Sequence, residues 1–228
     1  MKNVTQGGKA YLKVGTGKLY GKHFMPLYIK PFGERRPDID IEFIEDRSVI
    51  LESMLLNGIL DIGIIPAPIE SNILISRPLF YEELFLALPR DHKMNLPYYN
   101  YTVAGTFPEI DLHLLSGEIF IISKTGYKLH DLFTNMCKMM GFKPRSTLEI
   151  ESVDTIISFV RNNKGIGFVP DSFARREMWA ESVNYYRIKN ANCKRAFMIV
   201  HADETKLSLT AAEFVSVLFE IQEKIGYK

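Results

Sequence analysis

The stretch TLEIESVDTIISFVRNNKGIGFVP, Thr147–Pro170, changes its hydrophobic period twice. TLEIE alternates and predicts a strand. Ser152 then stands where a helix would be capped, and Val153, Ile156, Ile157 and Val160 share one face at helical spacing. Gly165 ends that helix, and IGFVP returns as a continuously apolar strand. Strand, helix and apolar strand in this order are the pattern of a parallel sheet covered by helices.

Upstream, EIFIIS (Glu118–Ser123) reads as a strand. After KTG comes a helix bearing Leu129, Leu132, Phe133, Met136, Met139 and Met140 on one face, with Gly141 behind it. The unit is therefore β-α-β-α-β. The same order occurs before residue 75. AYLKV meets Gly15; a helical stretch from Leu19 to Arg35 is interrupted by Pro26 and Pro31; IDIEFIE (Ile39–Glu45) alternates. A helix capped by Ser48 follows, with Leu51, Met54 and Leu55 inward and Gly58 at its end, and then the strand LDIGII, Leu60–Ile65, bounded by Pro66 and Pro68. Ile73–Pro89 reads as two strand-like pieces and residues 91–117 as mostly loop. Two strands, Val183–Ile188 and Ala196–His201, lead to a last helix, Ser208–Lys224. The expected fold is α/β, two Rossmann-like lobes with a central cleft. Lobe I takes residues 9–88 plus 192–228, lobe II takes 89–191, and residues 1–8 form a linker or chain end. Ligands of such sheets lie beyond the carboxyl ends of the strands.

Composition narrows the function. Hydrophobic residues make up 46% of the 228 and charged residues 24%, enough for a core without staples. A net charge of +1 counts against direct DNA binding by this chain. Cys137 and Cys193 have no cysteine or histidine at metal-ligand spacing and fit a reducing compartment. MKNVTQGG is no signal peptide, and no stretch is long enough to span a bilayer, which predicts a soluble cytoplasmic protein without a membrane partner. His23, His92, His113, His130 and His201 are scattered, so neither a metal nor another cofactor is expected. No G-x-S-x-G is present, and no catalytic residue is assigned.

VGTGKLYG, Val14–Gly21, poses the choice between a phosphate loop and a simpler anion-holding turn. A P-loop fails because Leu19 follows Lys18. A dinucleotide fingerprint fails because Tyr20 stands where its last glycine belongs. A strand turning into a helix still offers unpaired amides to an anion, with Thr16, Gly17 and Lys18 around them. An ordinary turn with a solvated lysine is the plain alternative. The equivalent turn of the second repeat holds Ser123, Lys124, Thr125 and Gly126. Recurrence of hydroxyl and lysine favours a site with one wall per lobe for a small anion, most simply a carboxylate. Asp61 reads as structural, Glu151 as either a ligand group or a surface residue, and the Met136, Met139, Met140 group as core. Tyr98, Tyr99, Tyr101 and Phe107 form either a flap or a loop packed on its own lobe.

These features resemble the effector-binding domain of LysR-type transcriptional regulators. The resemblance is carried by LKVGTG, FGERRPDIDIEF, LLNGILDIGII, RPLFYEELFLALPRDH and GFKPRSTLEIESVDTIISFVRNNKGIGFVP, and runs from about Tyr11 to Ala174. It implies a fold like that of type 2 periplasmic-binding proteins, a small-molecule effector, a homodimer, and a tetramer in the full-length protein. It also implies a winged helix-turn-helix ahead of this domain as the only DNA contact; nothing before Ala10 has room for one, so the chain is expected to be a regulatory portion of a longer protein. By the same resemblance the effector touches Thr16, Gly17 and Lys18, Ile65 and Pro66, Ser123, Lys124 and Thr125, then Glu151, Ser152 and Phe168. Pro31 and Gly33 in the first helix, lysine at 18 and 124, and the long segment 97–110 depart from the family pattern. An enzyme acting on a small carboxylate, or a stand-alone solute-binding protein, is the alternative on the same fold.

Overall fold

Strand β1, Ala10–Thr16, is the centre of the first sheet. A computed structural model describes residues 10–95, 107–175, 183–202 and 207–225 of the chain. Through its whole length β1 pairs in parallel with β2, Ile39–Glu45, and on its other side with β3, Ile62–Pro66. Strand β10, Lys194–His201, adds antiparallel to β3. Alternation along the strands sorts the two faces. Leu12, Val14, Ile62 and Ile64 join one apolar cluster, while Ile65 joins another with Leu51, Leu55 and Leu60.

The first cluster is covered by α1 (Lys18–His23), α2 (Met25–Arg35) and α7 (Leu209–Ile225). The helical stretch breaks at Phe24. Pro26 sits in the first turn of α2, where an amide has no helical partner to lose, and Pro31 lies within the helix. Packing explains why the break is tolerated. Tyr20 stacks on Phe24 at 4.6 Å and on Phe197 at 4.9 Å, and Phe32 meets Phe214 edge-on at 5.1 Å. The Tyr20 and Tyr28 hydroxyls share a 2.7 Å hydrogen bond, and the Gln222 amide of α7 also bonds Tyr28. Arg36 bridges Asp38 and Glu213, each at 2.7 Å.

The other face carries α3, Ser48–Leu56. Its N-cap is Arg47, so Ser48 is the first helical residue and not the cap expected from its type. Gly58 takes φ +65° just past the helix end, as expected. Gly15, in contrast, does not end its strand. It pairs with both Ile44 and Gly63. A Cβ there would lie 2.4 Å from Leu60 Cδ1 and 2.8 Å from Leu51 Cδ2, so the glycine serves close helix–strand packing.

A second unit spans Glu82–Lys194; the first comprises the residues up to Tyr81 and from Arg195 onward. Strand β4, Ile75–Pro89, passes from one to the other as a single strand where two pieces were expected. Pro78 does not split it, because the residue before a proline is itself biased to extended backbone. In the second unit β6 (Ile119–Ser123) pairs in parallel with β7 (Ser146–Ile150) and β8 (Ile166–Pro170). Here β4 runs antiparallel to β8 and to β9, Val183–Ile188. Strand β5, Glu109–Ile110, and a 3-10 turn, Leu112–Leu115, lie in what was expected to be loop. The parallel order β7-β6-β8 repeats β2-β1-β3.

Helices α4 (Lys128–Met139) and α5 (Val153–Arg161) cover this sheet. Val153, Ile156, Ile157 and Val160 are all buried, as their spacing predicts. Leu129, Phe133 and Met136 are buried too, but Met139 is 71% exposed, so only part of the methionine group is core. Helix α6, Asp171–Ala174, follows β8 directly. Among the described residues no helix is long and apolar enough to cross a membrane, and no cluster of histidine, cysteine and carboxylates could hold a metal.

Candidate functional site

The carboxyl ends of the parallel strands are where both repeats place their turns. In the first, β1 ends at Thr16 and Gly17 is the extended N-cap of α1, with no side chain capping the helix. Lys18 opens the helix and is exposed. A Cβ on Gly17 would lie 4.0 Å from the Asp46 carbonyl, an ordinary contact, so packing does not demand glycine here. Thr16 is fully buried, and its hydroxyl donates to the Ile64 carbonyl at 2.5 Å. The expectation of a hydroxyl presented outward is corrected here, because the neighbouring strand takes that proton. Beside it Ile65 is fully buried, and Pro66 pairs with Phe197 of β10. Asp61 holds β1 in place, accepting from the Lys13 amide at 2.8 Å, which is the structural role expected of it.

The second turn follows β6. Ser123 is buried; Lys124 and Thr125 are exposed. The Lys124 amide donates to the Ile150 carbonyl at 3.0 Å, tying the turn to the end of β7. Gly126 takes φ +90°, a conformation that favours glycine. The donors of Thr125 are engaged. Its amide donates to Glu149 Oε2 at 2.9 Å, and its hydroxyl lies 3.0 and 3.2 Å from the two carboxylate oxygens. These bonds, the amide's first, hold the Glu149 carboxyl below its ordinary range, aided by the charges of His130 and Lys124. His130 Nε2 lies 3.7 Å from Glu149 Oε1 and 3.4 Å from the Thr125 hydroxyl.

Next to this cluster the Tyr127 hydroxyl donates to Glu151 at 2.7 Å. Ser152 is the N-cap of α5 by position, but its side chain makes no capping bond. Phe168 lies within β8, fully buried against Phe133 at 5.2 Å, in the core of its unit. Thr16, Gly17, Lys18, Ile65 and Pro66 thus gather at one sheet end, and Ser123, Lys124, Thr125, Glu151 and Ser152 at the corresponding end of the other sheet. Sequence reasoning missed Glu149, His130 and Tyr127. The β6–β7 register, Ser123 opposite Ile150, brings Glu149 to the turn, while Tyr127 and His130 follow the turn directly as the N-cap and first turn of α4. Asp171, directly after β8, is also buried; burial raises its carboxyl above the usual range, against the Arg175 guanidinium at 3.0 Å. Of the aromatic group proposed as a flap, Tyr98, Tyr99 and Tyr101 lie outside the described residues. Phe107 packs edge-on against Phe85 at 4.8 Å.

The model for the LysR substrate binding domain matches residues 5–222. The chain is 26% identical, over 95% of its length, to the uncharacterized HTH-type transcriptional regulator YcgK of Bacillus subtilis, and spans 68% of that relative. Among solved structures it is similar to the CcmR regulatory domain of Synechocystis in complex with 2-PG, with a TM-score of 0.79 and 20% identity over 94% of this chain and 98% of that one. It is likewise similar to the BenM effector binding domain with its effector benzoate, with a TM-score of 0.80 and 17% identity over 96% and 94%. These two likenesses establish the fold.

Proposed function

The chain belongs to the LysR substrate-binding domain family, and from this premise we propose that it senses a small, anionic metabolite and passes its occupancy to the control of transcription. One observation carries the reading: the family model covers all but a few residues at either end of the chain. The relatives are transcriptional regulators, not enzymes. Two neighbours of the same fold hold a small molecule.

In this reading the effector meets the carboxyl ends of the parallel strands. Gly17 and Lys18 follow β1, Pro66 ends β3, Lys124 and Thr125 follow β6, and Glu151 with Ser152 follows β7. The buried Thr16, Ile65, Ser123 and Phe168 form the supporting layer behind them. Two lysines beside helix N-termini favour an anion over a cation. DNA contact belongs to a winged helix-turn-helix ahead of this domain in the full-length protein, which works in the cytoplasm as a homodimer or tetramer. The exposed apolar side chains Val49, Ile50 and Leu56 of α3 support a role for that helix in self-association.

A thermal-shift screen of organic acids tests the proposal. A specific effector at one hundred times its Kd stabilises the fold by about 2.7 kcal/mol, which is a rise of about 5–10 °C for a domain of this size. The ligand must be recovered unchanged. Turnover of the bound acid, or the absence of any saturable binder among chemically diverse acids, would overturn it.

A further inference from the structure

The second turn already carries a carboxylate of its own. Glu149 projects from the edge strand β7 and takes both donors that Thr125 offers, the amide at 2.9 Å and the hydroxyl at 3.0 Å. These are the groups through which an effector carboxylate would be read. The pairing is open to water: Thr125 is exposed and the Glu149 side chain keeps 40% of its accessible surface. A buried capping bond would lock the turn, whereas an exposed charge-assisted bond exchanges with any competing anion that reaches it. His130 Nε2 lies 3.7 Å from the same carboxylate and the Lys124 charge acts on it; Asp131, 3.3 Å from His130 Nδ1, and Glu151, held by Tyr127, belong to the same charged surroundings.

We propose that Glu149 is an internal competitor for the effector's carboxylate, holding the second turn until an incoming anion displaces it. The inference rests on the reading that this turn belongs to the effector site. Its consequence is selectivity. A weak or monodentate anion does not displace a tethered carboxylate, whose local concentration is of the order of millimolar or higher. An anion that gains further contacts elsewhere does. A turn open one-tenth of the time lowers the apparent affinity of its ligand about tenfold.

Sodium acetate, which carries the same functional group as Glu149, is the probe, with sodium chloride of equal ionic strength as the control. The full chain is compared as wild type, Glu149→Ala and Glu149→Gln, reading the Thr125 amide by NMR and folding by far-UV circular dichroism. The Thr125 amide is expected to shift on Glu149→Ala alone, and acetate then to restore its wild-type position at a concentration about tenfold below any effect in the wild type. Glu149→Gln keeps an acceptor without the charge and falls between them; it carries the test if the alanine variant does not fold. Equal acetate response in wild type and variants, or a Thr125 amide indifferent to Glu149, overturns the inference. Acetate gain at Thr125 together with a fruitless organic-acid screen would instead uphold the competitor and sink the sensing role.

Discussion

Replacing Thr16 with valine separates two roles for its hydroxyl. Threonine and valine share shape and β-branching, so strand preference and packing volume hardly change. What is lost is the bond to the Ile64 carbonyl, 2.5 Å long and wholly buried. A buried acceptor deprived of its donor costs about 1–3 kcal/mol. Ile64 remains in the ladder between Thr16 and Ile199, which keeps the cost in the lower half, about 1–2 kcal/mol. For a chain of this length the expected fall in Tm is about 2–8 °C. Urea unfolding followed by circular dichroism checks it: the midpoint moves down while the slope stays the same, since the surface exposed on unfolding is unchanged. Thr125→Val is the comparison: its hydroxyl bond to Glu149 is open to solvent, so the loss is smaller, of the order of 0.2–1 kcal/mol. A Thr16→Val protein as stable as the wild type but impaired in effector binding would show that the hydroxyl faces ligand, and the assignment to the sheet would be refuted.

Two other perturbations follow from the same packing. Gly165→Ala places a Cβ 2.4 Å from the Ile119 carbonyl of β6, at a φ of +151° that side chains rarely adopt; a loss of at least about 1–3 kcal/mol is expected, and a wild-type urea midpoint would disprove the close approach. Asp171 has a carboxyl raised from 3.8 by burial, so its folded form favours the neutral group. The associated stability is full below about pH 3.8 and is lost as pH rises through the raised value. Asp171→Asn, which stays neutral, is therefore expected to gain on the wild type as pH rises toward 7, and parallel stability–pH curves for the two proteins would contradict this.

The parallel β-α-β-α-β order was legible twice from periodicity alone, because the strands either alternate or, like Ile62–Pro66 and Ile166–Pro170, run apolar, while each helix buries one stripe at a different period. Val153, Ile156, Ile157 and Val160 illustrate it: the 3.6-residue spacing dictates which side chains face the sheet. Gly58 was equally plain, since a glycine past a helix end adopts a backbone angle that others avoid. Local chemistry sufficed at these positions.

Other features depended on partners distant in the chain. Gly15 looked like a turn residue, yet Leu51 and Leu60 from α3 and its following segment decide that it is a packing glycine inside a strand. Thr16 looked like an outward hydroxyl, and the register of β1 on β3 turned it inward. Glu149, 24 residues from Thr125, reaches its turn only because β6 and β7 pair in one particular register. Period and composition are properties of neighbouring residues along the chain, so the sequence determined the elements and their order. Hydrogen-bond partners are chosen among groups that only folding brings within about 3 Å of one another, and this is why tertiary structure alone decided which donors of the two turns are spent and on what.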